Sequence, residues 1–131
     1  MKVDHVGIFT NHPRRMLDFY QNKLFLKKKY QIVLAAEICK NVFGIHEECY
    51  MASFSCDDSC VEIFWPVKHK SKKVGTRNCG INHFGVVVAN RKSFCEKLED
   101  KFKVKVINVS RGDHRLYFIK DPDGNIIEVR D

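Results

Sequence analysis

Two histidines and two glutamates stand at matching places in two similar stretches of this chain. His5 lies in DHVGIFTN (residues 4–11) and His83 in NHFGVVVAN (82–90), each followed by an apolar residue and a glycine in a run that leads to an asparagine. Glu62 lies in CVEIF (60–64) and Glu128 in NIIEV (125–129), each an acid among apolar residues shortly after a turn containing aspartate. Imidazole nitrogens and carboxylate oxygens are ligands for divalent transition ions and acceptors for protons. Two of each suit Ni, Co, Mn, Fe or Zn with water positions left in an octahedral sphere, and suit Mg or Ca less, because imidazole is a poor ligand for those ions. Strand alternation alone also permits Ile127 and Val129 to face a core and Glu128 to face water. The fourfold recurrence at equivalent places is what favours a metal site over four unrelated residues.

The elements that must carry these groups read as a repeat. Residues 1–10 form a strand, Asn11 offers an N-cap, Pro13 falls in the first helical turn, and Met16, Leu17, Phe19, Tyr20 and Leu24 recur at helical spacing, giving a helix over 13–24. A basic strand over 28–37 follows, then an irregular stretch over 38–48 that holds a short helix or a loop. Strands over 50–55 and 60–65 flank a tight turn at Cys56-Asp57-Asp58-Ser59. After a polar linker the order begins again, with a strand over 80–89, an N-cap at Asn90, a helix over 93–102, and strands over 104–109, 115–121 and 125–130. The last turn, Asp121-Pro122-Asp123-Gly124, has a proline to set φ and a glycine for φ > 0. The expected fold is α+β, with two tandem βαβββ modules forming a curved mixed sheet around a metal site. Module one spans about 1–66, the linker 67–79 and module two about 80–131, within a single domain.

Alternation puts His5 on a face with Val3, Gly7 and Phe9, and His83 with Ile81, Gly85 and Val87. Glu62 shares a face with Cys60 and Phe64, and Glu128 with Ile126. If the two sheets lie side by side as one curved surface, all four side chains converge. His5 and Glu62 are 57 positions apart but His83 and Glu128 only 45, so module one holds a surplus, placed at 38–48.

Composition narrows the partners. The chain is 44% hydrophobic and 30% charged, which suits a folded domain and excludes long disorder. No apolar run reaches the roughly 18 to 20 residues of a membrane span. MKVDHVGIF places an acid and a histidine where a signal peptide has its apolar stretch, so a cytoplasmic location is expected. There the six cysteines stay reduced, and with no CxxC pair among them a structural zinc site made of cysteine is not expected. The net charge of +7 gathers at Lys27-Lys28-Lys29, Lys68, Lys70, Lys72, Lys73 and Arg77, as solvated loops or as guides for an anionic ligand. These runs lack interleaved aromatics and no nucleic-acid-binding motif accompanies them, so nucleic acid is not expected as a partner.

DHVGIF followed by MLDFY, then VEIF, INHFGVVV and FIKDPDGNIIEV, resembles the vicinal-oxygen-chelate superfamily over essentially the whole chain. That group includes glyoxalase I, extradiol dioxygenases, fosfomycin-resistance proteins, methylmalonyl-CoA epimerase and bleomycin-resistance proteins. The resemblance places His5, Glu62, His83 and Glu128 at the family's four metal-binding positions. Dioxygenases and fosfomycin-modifying enzymes resemble a His, His, Glu set, and methylmalonyl-CoA epimerase typically has Gln at the Glu62 position. The set here is that of bacterial-type glyoxalase I. The resemblance therefore implies a divalent-metal-dependent lyase or isomerase in which Glu128 or Glu62 moves a proton through a stabilised enediolate. It also implies a homodimer and a small-molecule substrate, for which an anionic compound is a candidate. Alternatives on the same scaffold are an epimerase, a dioxygenase, or a metal-free binding protein of the bleomycin-resistance type. Two departures are Leu24-Phe25 where Leu-Gly is common, and Ile63-Phe64-Trp65-Pro66 after Glu62.

Other residues rank lower. His12, His46, His69 and His114 fall in loops or helix starts, although His114 or Arg115 lies near the last hairpin. Arg14, Arg77 and the lysines of 68–73 are candidates for an anionic tail. Phe64 and Trp65 suit core and pocket equally.

Overall fold

The computed structural model describes residues 3–70, 81, 83–111 and 113–131. Two compact units divide the chain after Val74, and each is a four-stranded sheet with helices. The βαβββ order expected from sequence is present twice.

In the first unit β1 (His5–Phe9), α1 (Pro13–Asp18), β2 (Lys27–Leu34), α2 (Ala36–Phe43), β3 (Cys49–Cys56) and β4 (Ser59–Pro66) follow in turn. The sheet order is β1-β4-β3-β2, with β1 parallel to β4 and the other pairs antiparallel. In the second unit β5 (His83–Val87), α3 (Arg91–Phe102), β6 (Val106–Arg111), β7 (His114–Lys120) and β8 (Ile126–Arg130) give the same topology, β5-β8-β7-β6, again with one parallel pair. A parallel pair needs a crossover: β1 reaches β4 through α1, β2, α2 and β3, and β5 reaches β8 through α3, β6 and β7, rather than by a hairpin.

Each sheet uses its two faces differently. Phe54, Val61 and Ile63 turn one face of the first sheet to the helix side, where Met16, Phe19, Tyr20 and Leu24 are buried and the Tyr20 and Phe54 rings lie 6.4 Å apart. In the second unit Tyr117, Ile119, Ile127 and Val129 bury the corresponding face together with Cys95 and Leu98 of α3. The opposite faces carry Glu62 and Glu128.

Several boundaries differ from expectation for identifiable reasons. Asn11 does not cap α1: the N-cap is His12, and its N–H donates to Thr10 Oγ1 at 2.9 Å. The expected helix over 13–24 changes hand-hold after six residues. Phe19–Lys23 is a π-helical turn in which the Leu24 N–H reaches back to the Phe19 carbonyl, and Phe25 then takes φ +60°. The stretch left as short helix or loop is α2, closed by Gly44 at φ +71° with its N–H on the Lys40 carbonyl. It lies where the surplus of module one was expected. Asn90 does cap α3, its side-chain oxygen accepting from the Ser93 N–H at 2.8 Å. The expected strand over 80–89 begins at His83 among the described residues; Cys79 and most of the linker lie outside them.

The last hairpin is built as its turn residues require. Asp121 is 4% exposed, and its Oδ1 accepts from the N–H groups of Asp123 and Asn125 while Oδ2 accepts from the Asn125 side chain. Gly124 takes φ +88°. The carboxylate thus replaces water for three donors and fixes the entry into β8.

Candidate metal and proton-transfer site

Strand register places each histidine beside its glutamate. In the first unit Gly7 pairs with Glu62 and His5 with Cys60, so His5 and Glu62 share a face one step apart along adjacent parallel strands. In the second unit Gly85 pairs with Glu128 and His83 with Ile126, which repeats the relation. The resulting distances match: His5 Nε2 is 3.8 Å from Glu62 Oε2, and His83 Nε2 is 3.6 Å from Glu128 Oε2. Both glutamates are the more sheltered partner, with side chains 14% and 21% exposed against 51% and 41% for the histidines.

Each histidine therefore faces a carboxylate oxygen from just beyond hydrogen-bonding distance. In His5 the other ring nitrogen, Nδ1, lies 3.0 Å from Asp4 Oδ2. A neutral His5 that donates Nδ1–H to Asp4 presents a lone pair at Nε2 toward a second electron-rich atom. A positive charge at Nε2 relieves that arrangement. A proton is one source: the Asp4 hydrogen bond, followed by the charge of Glu62, raises the His5 pKa above its usual value, with burial opposing. A divalent cation is the other, and carboxylate-oriented histidine is the arrangement that metal-ligating imidazoles use. The donor set of each pair fits such an ion.

The four candidates are thus brought together as two pairs, His5 with Glu62 and His83 with Glu128. Among the described residues no group of three or more His, Cys, Asp or Glu side chains lies close enough to hold one ion. The pairing geometry is the same in both units although the surroundings are not. Beside Glu62 across the β3–β4 pair stands Ser53, and beside Glu128 across β7–β8 stands Phe118, whose ring meets the His83 ring edge-on at 5.9 Å. Next along β4, Phe64 stacks in a triangle with Phe9 and with Phe43 of α2, at centroid distances of 5.3 and 5.5 Å, so α2 walls the Glu62 face on one side.

Sequence reasoning passed over Asp4, Ser53 and Phe43. Asp4 directly precedes a candidate ligand, and that adjacency was a readable signal; the other two become visible only through cross-strand register and the position of α2. Lys29 was grouped with the solvated lysines, but its Nζ lies 3.5 Å from Cys60 Sγ on the His5 face. Of the lower-ranked residues, the His69 ring and backbone N–H both bond the Glu47 carboxylate, joined by the Lys68 N–H at 2.6 Å. His12, His46, His114 and Arg14 are exposed, and Arg77, Lys72 and Lys73 lie outside the described residues. Arg115 lines an open groove of about 590 Å³ with Lys92, Glu96, Asn108 and Tyr117, on the α3 side of the second sheet and away from Glu128. Cys39, Cys49 and Cys95 are buried thiols, and burial pushes Cys95 up to about 11 with the charge of Glu99 adding to it.

Comparison with known proteins agrees with this architecture. A glyoxalase family protein from Bacillus cereus superposes with a TM-score of 0.78 at 16% identity, covering 98% of this chain and 92% of its own. The trypanothione-dependent glyoxalase I of Leishmania major gives 0.73 at 17% identity, over 100% and 86%. Lactoylglutathione lyase from Agrobacterium tumefaciens gives 0.65 at 15%, over 98% and 91%. At these identities the likeness is one of fold. No curated protein sequence matches. The family model described as Glyoxalase/Bleomycin resistance protein/Dioxygenase superfamily matches residues 2–129, and the chain belongs to that superfamily.

Proposed function

We propose that this protein is a divalent-metal-dependent lyase or isomerase of the glyoxalase type, moving a proton between adjacent carbons of a small α-hydroxycarbonyl substrate. The observation that carries the reading is the repeated His–Glu pair, at 3.8 Å in one unit and 3.6 Å in the other, from matching strand positions. Superfamily membership and the likeness to glyoxalase folds support it.

His5 with Glu62, and His83 with Glu128, are the residues that would ligate a divalent ion, each pair within its own unit, with Ni, Co or Zn favoured over Mn and Fe. When bound, such an ion supplies fixed positive charge where negative charge develops on substrate oxygen. The rest falls to the chain itself. Asp4 holds His5 Nδ1 and leaves Nε2 directed at the site. Glu128 or Glu62 accepts the proton next to the substrate carbonyl and returns it to the neighbouring carbon. Phe64, next to Glu62 on the same face of β4, packs with Phe9 and Phe43 and gives that face an apolar neighbour. A homodimer in the cytoplasm with an anionic small molecule as substrate completes the proposal.

The test combines metal analysis with activity. Protein purified without a histidine tag and loaded with each ion should retain about one ion per chain and should isomerise the hemithioacetal of methylglyoxal and glutathione. Glu62→Gln and Glu128→Gln should lose far more rate than metal, since general acid–base catalysis contributes on the order of 10²- to 10⁴-fold. Equal loss of metal and rate would make both acids ligands only. No retained ion under any loading would leave a metal-free ligand-binding protein as the better account.

A further inference from the structure

Ser53 is fully buried at the centre of β3, and its hydroxyl has no hydrogen-bond partner. It is the sole buried side-chain polar atom left so among the described residues. Such a group costs free energy unless something else satisfies it, so its presence asks for a reason. Its register supplies one. Tyr30 of β2, Ser53 of β3, Glu62 of β4 and Gly7 of β1 form a single row across the sheet, with their side chains on one face. Cross-strand neighbours on one face have Cβ atoms roughly 4.5 to 5.5 Å apart, which is within reach of a hydroxyl and a carboxylate.

The second unit gives the comparison. The equivalent row runs Ile107, Phe118, Glu128 and Gly85, so the position of Ser53 is taken by an aromatic ring and Glu128 has no hydroxyl beside it. An apolar residue is evidently compatible with this place in the sheet. A serine buried there at a cost, beside one glutamate and not the other, is explained if the hydroxyl serves Glu62.

We propose that Ser53 is a positioning residue, which donates its hydroxyl hydrogen to the Glu62 carboxylate when that carboxylate turns to hold a divalent ion with His5. The inference rests on the metal-site reading above. In the ion-free protein, where Glu62 Oε2 is directed at His5, the donor is unused; in the ion-bound protein it fixes the carboxylate oxygen that does not face the ion. Partners of metal ligands of this kind typically alter affinity by about 10- to 100-fold.

The test is Ser53→Ala, read two ways. The ion-free variant should unfold at the same temperature as wild type or a higher one, because a buried unpaired hydroxyl has been removed. Its dissociation constant for Ni or Zn, measured by competition with a chelating dye, should rise about tenfold or more. Ser53→Thr keeps the hydroxyl and should bind the ion within about twofold of wild type, which guards against a fault in folding. Unchanged ion affinity in Ser53→Ala would overturn the role of Ser53 while leaving the metal site standing. A large loss of ion-free stability would also overturn it, since the hydroxyl would then serve the fold. Failure of wild type itself to bind any ion would remove the metal-site reading and this inference with it.

Discussion

The two glycines that follow the histidines should respond in opposite ways to the same substitution. Gly7 and Gly85 occupy equivalent strand positions, each paired with a candidate glutamate, and neither has the positive φ found at Gly44 and Gly124. Alanine at either site gains roughly 0.4 to 1 kcal/mol by narrowing the unfolded ensemble. At Gly85 the added Cβ would meet only the Glu128 carbonyl oxygen, at 3.9 Å, an ordinary contact. At Gly7 it would meet Phe64 Cε2 at 3.1 Å. That ring is 6% exposed and held by Phe9 and Phe43, so it cannot swing aside without disturbing the triangle. Overpacking of this kind costs about 1 to 3 kcal/mol. The net expectation is Gly85→Ala neutral or more stable by about 0.5 kcal/mol, and Gly7→Ala less stable by about 1 to 2 kcal/mol. Equilibrium urea unfolding at constant m-value measures both, and a melting temperature lowered by about 3 to 8 °C for Gly7→Ala is the corresponding shift. Equal effects of the two substitutions would refute the packing argument and place Phe64 in a looser setting than the ring contacts describe.

Three further substitutions probe other elements. Asp4→Asn removes the first cause of the raised His5 pKa; stabilisation from that histidine is present below its ordinary pKa and lost as pH rises through the raised one, so the variant should titrate lower by NMR and lose stability mainly on the acid side of neutrality. Asp121→Ala leaves three donors of the last turn without their acceptor in a nearly buried place, and should cost about 2 to 4 kcal/mol in urea unfolding. Asn90→Ala should cost about 1 kcal/mol in urea unfolding through loss of the α3 cap.

The strands, the duplication and the last turn were legible because their signals are local: alternation of apolar residues, a proline and glycine in fixed turn places, and an asparagine three residues before a serine whose N–H it accepts. The same reasoning failed at Asn11, since Thr10 and His12 provide another local solution that competes with an asparagine cap. It could not see the π turn at Phe19–Lys23, where burial of Phe19 and Tyr20 together outweighs the regular helical register. α2 was half legible, because its apolar residues are mostly exposed and only Cys39 is buried, so periodicity against a core was weak. Of the candidate site, the choice of the four residues rested on their recurrence in the repeat, and the face each occupies followed from alternation. The 3.8 and 3.6 Å pairings depend on strand register, which no single strand encodes.

Duplication repeats what backbone geometry enforces and leaves the rest to diverge. A histidine in the first strand and a glutamate in the last of a βαβββ unit meet because those strands are parallel neighbours, so both copies keep the pair wherever the topology holds. The residue across from each glutamate is under no such constraint, and there one copy has Ser53 and the other Phe118. A hydroxyl beside a carboxylate offers it a hydrogen bond, while a ring offers only exclusion of water. Two acids at equivalent strand positions therefore differ in what their neighbours can do for them. The physical basis for any division of labour between Glu62 and Glu128 lies in those neighbours, not in the acids themselves.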